Sequence, residues 1–394
     1  MDRRIAFVVH RYGEQVVGGS EILCRQVAER MARHFQVDVV TTCAVDYVTW
    51  KNELSAGVSH LNGVTVRRFP VDYGRGLKFR LLNGLYWRGC RLNRRMQESW
   101  MRAQGPYSSA LFCYIVDNRN KYDLFIFFTY LYCTTYFGLP PVREKSVLVP
   151  TAHDEKPIYL DIFDTLFRLP GFYIFLTEEE KEFVGRRFKI DVEKYPVIGA
   201  GIDCPDDIVV KEENLFPWPY LIYAGRVDVG KGCDLLLEYF LNYKKNYGND
   251  LRLVLIGPKH MDIPTRDDIV YLGFVPEKEK WRYLKQAVAL VLPSRFESFS
   301  LAVLEAMACG VPVLVNGESA VLQGHCRRSG GGMSYKNYDQ FSAALNHLLS
   351  SESVRREMGV KGRAYVKENY SWSVVEQKYV QAFLDLIEKQ RDGS

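Results

Sequence analysis

The sequence Pro293-Ser-Arg-Phe-Glu-Ser-Phe-Ser-Leu-Ala-Val-Leu-Glu-Ala-Met-Ala-Cys-Gly-Val-Pro312 decides the fold of this chain. The apolar run 287–292 before it is typical of a buried strand. Apolar residues then recur at helical spacing over 301–308, and Gly310 and Pro312 end the helix, as glycine and proline commonly do. Because another apolar run follows, the pattern predicts a strand, a loop, a helix and a second strand.

Two glutamates lie at unequal places in this pattern. Glu297 falls in the loop after the strand, and Glu305 lies about a turn inside the helix, which along a helix would be about 12 Å away. Between them the helix start presents the backbone N–H groups of Phe299, Ser300 and Leu301, and a helix start attracts anions. Carboxylates on both sides of a diphosphate site fit a nucleotide sugar. Solvated surface glutamates are the alternative.

The run from Pro293 to Val313, which includes Ser298, resembles the E-x7-E motif of the retaining nucleotide-sugar glycosyltransferases with the GT-B fold. This family is glycosyltransferase family 4, the glycosyl transferases group 1, and the likeness is to its bacterial polysaccharide-assembly members. The resemblance implies an α/β protein in which two Rossmann-like parallel-sheet domains face a central cleft. It implies an acceptor-side domain at 1–200, a nucleotide-sugar domain at 205–370, and a C-terminal helix at 371–394 that crosses back to the first domain.

Length and composition agree with a two-domain enzyme. The chain has 394 residues, a net charge of +5 and nine cysteines without a C-x-x-C pair. A chain of this length exceeds one ordinary core, and an odd number of scattered cysteines is typical of free thiols in a reducing compartment. No apolar run approaches the roughly 20 residues of a membrane span, and no signal peptide is visible. We therefore expect a cytoplasmic protein.

A second motif lies on the loop after the predicted strand 220–224. Gly225-Arg226 and Lys231-Gly232 precede a helix in the pattern G-R-x4-K-G. Arginine supplies a forked charge and lysine a compact one, so both before a helix start would hold a phosphate. Two surface cations are the alternative reading of the residues. The pattern is similar to the other hallmark of the family, and this favours the phosphate clamp.

The first domain opens with a strand, a loop containing Gly18 and Gly19, and a helix for which Ser20 is the predicted N-cap. The loop lacks the G-x-G-x-x-G fingerprint, and a plain turn explains it equally well. In the family such a loop covers the donor diphosphate. His153 follows the predicted strand 145–149, at the edge where open α/β sheets bind ligands. A lone histidine is more often structural, but the resemblance implies that His153 contacts the transferred sugar.

The nucleotide base has a predicted site in the second domain. One strand ends at Gly257, and a later strand ends in a turn that contains Phe274 and Val275. The resemblance implies that this turn and the next loop hold the base through backbone groups. Core and turn packing would also explain these residues.

Residues 67–102 form a basic and aromatic region with a predicted helical structure. Ten of its residues are arginine or lysine, and it contains only two acidic residues. A solvated helix with one core face explains this composition, and so does a surface that is drawn to anionic lipid or to a lipid-phosphate acceptor. Nucleic acid is a weaker third reading, because no recognition motif accompanies the charge.

The predicted mechanism uses neither a metal nor a cofactor. The sequence contains no D-x-D. The predicted catalytic residues are His153, Glu297, Arg226 and Lys231. The resemblance implies that the anomeric configuration is retained by front-side attack, that Glu297 orients the sugar, and that Glu305 accepts hydrogen bonds from the ribose.

The predicted function is transfer of a hexose from a nucleotide sugar to a glycan or a lipid-linked glycan acceptor. UDP-glucose is the first expectation for the donor and GDP-mannose the second, both from the resemblance. A nucleotide-sugar epimerase, a sugar phosphorylase and a non-catalytic nucleotide-sugar-binding subunit are the alternatives on the same fold. A nicotinamide-dependent dehydrogenase fits the α/β pattern but lacks the glycine fingerprint. The residues do not identify the base, the sugar, the acceptor or the oligomeric state.

Overall fold

The computed structural model describes residues 3–203 and 214–392, and the chain divides into two compact units. The first unit comprises Met1–Ala200 together with Val375–Ser394, and the second comprises Gly201–Val374. Each unit is built on a largely parallel sheet with helices. The α/β class and the two Rossmann-like units are therefore confirmed. The sequence predicts a linker over 199–207, and this stretch runs past Asp203 into residues outside the described part of the chain.

The first unit has a seven-stranded sheet in the order β3-β4-β2-β1-β5-β6-β7, and β3 pairs with β4 as an antiparallel edge strand. Its strands are β1 (Arg4–Val8), β2 (Gln36–Thr42), β3 (Gly57–Leu61), β4 (Val64–Phe69), β5 (Leu124–Phe128), β6 (Ser146–Val149) and β7 (Phe172–Tyr173). Strand β5 reads Leu-Phe-Ile-Phe-Phe and is fully buried, as a strand of a parallel sheet covered on both faces must be. The strand order reverses between β1 and β5.

The helices of the first unit connect these strands. They are α1 (Gly19–Met31), α2 (Leu77–Trp87), α3 (Arg94–Gln104), α4 (Ser109–Asp117), α5 (Cys133–Gly138), α6 (Asp161–Leu166) and α7 (Glu178–Phe188). The prediction of Ser20 as the N-cap of α1 is wrong, because the N-cap is Gly18 and the Ser20 hydroxyl donates to Glu21 instead. The sequence also predicts a strand over 64–69, and β4 confirms it; the helical structure expected in the basic region 67–102 begins only at α2 and is interrupted between α2 and α3.

The second unit has a six-stranded parallel sheet in the order β10-β9-β8-β11-β12-β13. Its strands are β8 (Tyr220–Ala224), β9 (Arg252–Ile256), β10 (Ile269–Gly273), β11 (Ala289–Leu292), β12 (Val313–Asn316) and β13 (Gly332–Tyr335). Its helices are α8 (Cys233–Tyr247), α9 (Glu277–Gln286), α10 (Leu301–Ala308), α11 (Ala320–Ser329), α12 (Tyr338–Ser350) and α13 (Glu352–Tyr370). The strand order reverses between β8 and β11, where open sheets of this type bind ligands.

The last helix, α14 (Trp372–Asp392), returns to the first unit. Its buried residues Val375, Tyr379, Phe383 and Ile387 recur every four positions and form one apolar stripe. The Tyr379 hydroxyl donates to the carbonyl of Gly199 at 2.9 Å. The helix therefore completes the core of the first unit, and the predicted return of the C-terminal helix is confirmed.

Candidate functional site

The two predicted motifs of the second unit lie on adjacent strands. The Gly225–Gly232 loop follows β8, and the loop that carries Glu297 follows β11, which pairs with β8. Both loops therefore leave the carboxyl edge of the sheet at the strand-order reversal. A side chain at Gly232, whose φ is 75°, would come within 2.8 Å of the Pro293 carbonyl, so the loops pack together closely.

The loop after β8 has a fixed conformation. The Arg226 guanidinium pairs with Asp228, and the Asp228 carboxylate accepts a hydrogen bond from the Lys231 backbone N–H at 2.7 Å. The Tyr223 hydroxyl donates to the Arg226 carbonyl at 2.7 Å. Asp228 thus caps the short 3-10 turn Val229–Lys231 that leads into α8. Arg226 and Lys231 are consequently held on one ordered loop.

Lys231 joins this loop to the next one. Its Nζ lies 2.7 Å from Oε1 of Glu297, which is 66 residues away in sequence. The Glu297 side chain is only 13% exposed, whereas that of Lys231 is 31% exposed. Two of the predicted catalytic residues are therefore in direct contact.

The start of α10 has a special backbone. Its N-cap, Ser300, adopts the left-handed conformation with φ 69°, and its side chain makes no capping hydrogen bond. The buried Ser300 hydroxyl has no hydrogen-bond partner within the described ranges. A strained residue at an uncapped helix start is a common feature of functional sites. The geometry fits an anion at this end of the helix.

Sequence reasoning missed His325, a residue of α11 whose ring contacts the loop before α10. Its ring Nε2 lies 2.9 Å from the carbonyl of Phe299, which can only accept, so Nε2 carries the proton. Its Nδ1 lies 3.1 Å from the hydroxyl of Tyr365. His325 is fully buried, and it lies on the apolar face of α11 with Val321 and Leu322. A polar residue on that face is the signal that was available.

Glu305 has a different partner. Lys280, on α9, places its Nζ 2.7 Å from Oε1 of Glu305. Burial raises the pKa of Glu305, and the Lys280 ammonium acts in the opposite direction. The two predicted donor-binding glutamates thus each have a lysine partner of their own.

The predicted base-binding residues surround a close backbone contact. Gly257, with φ 129°, has no room for a side chain because the Gly225 carbonyl occupies that space. Its N–H donates to the Gly273 carbonyl at 2.8 Å. Phe274 follows, and its side chain is 74% exposed. The loops after β8, β9 and β10 therefore meet at one edge, where Phe274 offers a free aromatic face and Val275 follows it.

In the first unit, the Gly18–Gly19 loop is held by a buried ionic cluster. Oε1 of Glu21 lies 2.9 Å from Nε of Arg11 and 2.9 Å from Nε2 of His10. The Glu21 carboxylate also fills the space that a side chain at Gly18 would need, whereas Gly19 faces open space. Burial would raise the pKa of Glu21, but His10 and Arg11 lower it. Gly18 is therefore required by packing.

His153 lies on a loop that a second buried carboxyl positions. The two carboxyl oxygens of Glu180 accept hydrogen bonds from the backbone N–H groups of Ala152, at 2.6 Å, and Leu176, at 2.7 Å. His153 lies 3.6 Å from Glu155, which also accepts a hydrogen bond from Tyr130 at 2.6 Å. Burial raises the pKa of Glu180 to about 8. Burial acts in the same direction on Glu155, but His153 and Tyr130 lower the pKa of that group.

The basic region separates into two kinds of residue. Arg67 pairs with the buried Asp38, and Arg75 donates to the carbonyls of Tyr47 and Gln104, so these cations stabilise the fold. Arg68 is half-buried and donates to the Ser59 hydroxyl and the Tyr12 carbonyl, so it belongs with them. The other seven cations are exposed: Lys78, Arg80, Arg88, Arg91, Arg94, Arg95 and Arg102. Only this second group is available to a partner.

The described residues contain neither a candidate metal site nor a candidate membrane span. No group of three histidine, cysteine, aspartate or glutamate side chains within residues 3–203 and 214–392 could hold a metal ion. No helix in the same ranges is long and apolar enough to cross a membrane.

Sequence comparison gives three findings. The family model of the glycosyl transferases group 1 matches residues 211–365. An uncharacterized glycosyltransferase of Methanocaldococcus jannaschii is 23% identical over 96% of this chain and 97% of its own length. A phosphatidyl-myo-inositol mannosyltransferase of Propionibacterium freudenreichii is 30% identical over 45% of this chain and 48% of its own length.

Solved structures share the whole architecture. Sucrose-phosphate synthase of Thermosynechococcus elongatus superposes with a TM-score of 0.69 at 17% identity and covers 98% of this chain and 100% of its own. Anabaena HepE, solved in complex with UDP and glucose, has a TM-score of 0.69 at 13% identity and covers 97% of this chain and 100% of its own. At these identities the likeness establishes the fold.

Proposed function

This chain is a GT-B-fold glycosyltransferase of the glycosyl transferases group 1, and from that premise we propose that it transfers a hexose from a nucleotide sugar to a glycan or a lipid-linked glycan. The observation that carries the proposal is the ion pair between Lys231 and Glu297 at the strand-order reversal of the second unit. The pair supports the proposal because Glu297 lies three residues before Ser300, the uncapped start of α10, and brings the Lys231 ammonium to the same loop.

The donor diphosphate exchanges partners with this pair. Lys231, Arg226 and the N–H groups at the start of α10 bind the diphosphate, because all three present positive charge to an anion. Glu297 is then released from Lys231 and accepts hydrogen bonds from the hydroxyls of the sugar. Phe274 and Val275 contact the base, and Glu305 accepts hydrogen bonds from the ribose.

The proposed reaction develops negative charge on the departing diphosphate. The bond between the anomeric carbon and the diphosphate oxygen breaks, and the electron pair leaves with the diphosphate, which Arg226 and Lys231 stabilise. The acceptor hydroxyl oxygen bonds to the anomeric carbon on the same face, and its proton passes to the departing phosphate oxygen. The configuration is thereby retained without a covalent enzyme intermediate. The contact of His153 with the sugar stays a prediction from the resemblance.

UDP-glucose is the first proposed donor, and GDP-mannose is the second. HepE, which shares the fold, is solved with UDP and glucose, and this supports the first. Mannosyltransferases are among the sequence relatives, including O-antigen chain mannosyltransferase RfbU of Salmonella typhimurium, and this supports the second. Their names also support a polysaccharide or lipid-linked acceptor.

The exposed side of α2 supports a lipid-linked acceptor. Leu77 and Leu81 are 80% and 65% exposed, and they lie among the exposed cations of the basic region. Lys156, three residues after His153, donates to the Trp87 carbonyl at the end of α2 at 2.9 Å. We propose that this surface contacts anionic lipid at the cytoplasmic face of a membrane.

A vesicle assay tests this surface. Replacement of Lys78, Arg80 and Arg88 by serine should reduce co-sedimentation with anionic vesicles. Replacement of the exposed second-unit cations Lys245, Arg356 and Lys361 should not. Equal binding by both triple variants would refute the lipid contact.

The activity itself is tested with a donor panel. Thermal unfolding with UDP, GDP and ADP sugars identifies the donor through ligand stabilisation, and proton NMR of the product gives its anomeric configuration. We expect transfer with retention and no loss of turnover in EDTA. Inversion would contradict the mechanism, and activity that EDTA abolishes and magnesium restores would contradict metal independence. Epimerised donor, a sugar phosphate product, or binding without turnover would instead identify an epimerase, a phosphorylase or a non-catalytic subunit.

A further inference from the structure

Glu305 lies in an acidic and mostly buried environment. Its side chain is 14% exposed on the second turn of α10, and Glu277 and Asp203 both act on it with negative charge. Burial and these two carboxylates oppose its ionisation. A carboxylate that is to accept hydrogen bonds from two hydroxyls must nevertheless be ionised, because the protonated form loses an acceptor.

Lys280 is the cation that acts on Glu305 within the described chain. Its ammonium lies 2.7 Å from Oε1, and its own side chain is 22% exposed on α9. It thus approaches from a separate element, the helix that follows the predicted base-binding turn. Oε2 of Glu305 accepts no hydrogen bond from residues 3–203 and 214–392, so one carboxylate oxygen is occupied by Lys280 and the other is available.

We propose that Lys280 is a positioning residue for the nucleotide: it binds one oxygen of Glu305 and keeps the carboxylate ionised, so that the second oxygen accepts hydrogen bonds from the vicinal diol of a ribose. The inference rests on the proposed function, since it requires that the second unit binds a nucleoside diphosphate. Through Glu305, Lys280 would favour ribose over deoxyribose, and this selectivity would be independent of the diphosphate clamp.

The role of Lys280 has a signature in the pH dependence of binding. Without the ammonium, the pKa of Glu305 rises further, because burial, Glu277 and Asp203 then act unopposed. The protonated fraction of Glu305 therefore grows as the pH falls, and ribose binding weakens at low pH and recovers at high pH. Protonation of the diphosphate itself affects every variant equally and cancels in the ratio to the wild type.

The experiment is calorimetric titration of the full-length protein with UDP, GDP and ADP between pH 6 and 9. For the nucleotide that binds the wild type, we expect Lys280→Met to weaken binding about tenfold at pH 6.5 and much less at pH 8.5. Lys280→Arg should restore affinity at both pH values. Lys278→Met, an exposed lysine on the same helix, should match the wild type.

Two further measurements separate positioning from a structural defect. In a Glu305→Gln background, Lys280→Met should have no additional effect, since the group that it positions is gone. The wild type should bind the ribonucleotide more tightly than its 2′-deoxy form, and both Lys280→Met and Glu305→Gln should reduce that preference. An affinity loss that is equal at every pH, or no loss, overturns the role of Lys280. A wild type that binds no nucleoside diphosphate overturns the proposed function as well.

Discussion

Lys231 and Glu297 lie in contact across two adjacent loops, with 2.7 Å between Nζ and Oε1. Each residue satisfies the charge of the other, and so the largely buried Glu297 does not remain as an isolated anion. In the proposed mechanism, a diphosphate that binds Lys231 competes with this carboxylate for the ammonium. Donor binding would then be an exchange of partners, in which the phosphate binds Lys231 and Glu297 turns to the sugar.

Removal of the clamp cations should therefore reduce catalysis strongly. We expect Arg226→Ala and Lys231→Ala each to lower turnover by one to three decades, at roughly 1.4 kcal/mol per decade, because the departing diphosphate loses its counter-charge. Steady-state kinetics with the identified donor measures the loss. Lys245→Ala, an exposed lysine on α8, is the matched control. Turnover near the wild-type value in both clamp variants would rule out the clamp.

The two glutamates should differ in which kinetic constant they affect. Glu297→Ala should lower kcat most, since Glu297 orients the reacting sugar, and Glu305→Ala should chiefly raise the Kd for the nucleoside diphosphate. Turnover rates together with direct titration of the nucleotide separate the two effects. Near-normal turnover of Glu297→Ala would contradict the proposal that Glu297 orients the sugar.

The close packing of the two loops at Gly232 gives a stability prediction. Gly232 and Gly248 flank the same helix, and both have positive φ, but only Gly232 faces another backbone atom, the Pro293 carbonyl at 2.8 Å from a side chain built there. Gly248→Ala should cost about 1 kcal/mol for the left-handed conformation alone. Gly232→Ala should cost about 1–3 kcal/mol more, because the backbone must also move. Differential scanning calorimetry measures the difference, and equal melting temperatures would contradict this packing.

The buried carboxyl of Glu180 gives a pH prediction. Its pKa is raised from 4.5 to about 8, so between these values the folded chain keeps a proton that the unfolded chain releases. Stability therefore falls as the pH rises through this window, by up to about 1.4 kcal/mol per pH unit, and levels off above pH 8. Glu180→Gln should remove this slope, and the exposed Glu178→Gln should keep it. Denaturant unfolding of all three proteins from pH 5 to 9 checks this, and identical slopes would show that Glu180 is ionised in the fold.

Much of the fold could be predicted from local pattern. Short apolar runs such as Leu124–Phe128 are typical of buried strands, and Gly310 and Pro312 end α10 as expected. The edge strand β3 is mostly exposed and lacks an apolar run, so nothing marked it. The pairing of Lys231 with Glu297 depends on β8 lying beside β11, and this neighbour relation is a property of the sheet order.

The supporting residues of the sites were missed for a common reason. Glu21, Glu180 and His325 are each buried on the apolar face of a helix, and their main hydrogen-bond partners lie outside that helix. Apart from Glu305, the predicted site residues lie in loops or at helix starts, because packing alone explains a helix with an apolar face. A polar side chain within an apolar helical stripe is the signal that would have identified all three residues.

Because the last helix returns to the first unit, that unit cannot complete its core until the whole chain has been synthesised. Val375, Tyr379, Phe383 and Ile387 belong to the core of the first unit, yet they emerge from the ribosome after the entire second unit. The second unit can thus reach its native structure while the hydrophobic core of the first unit still lacks these four side chains. The amino-terminal half must wait, with part of its apolar surface uncovered, until the final turns of the chain arrive.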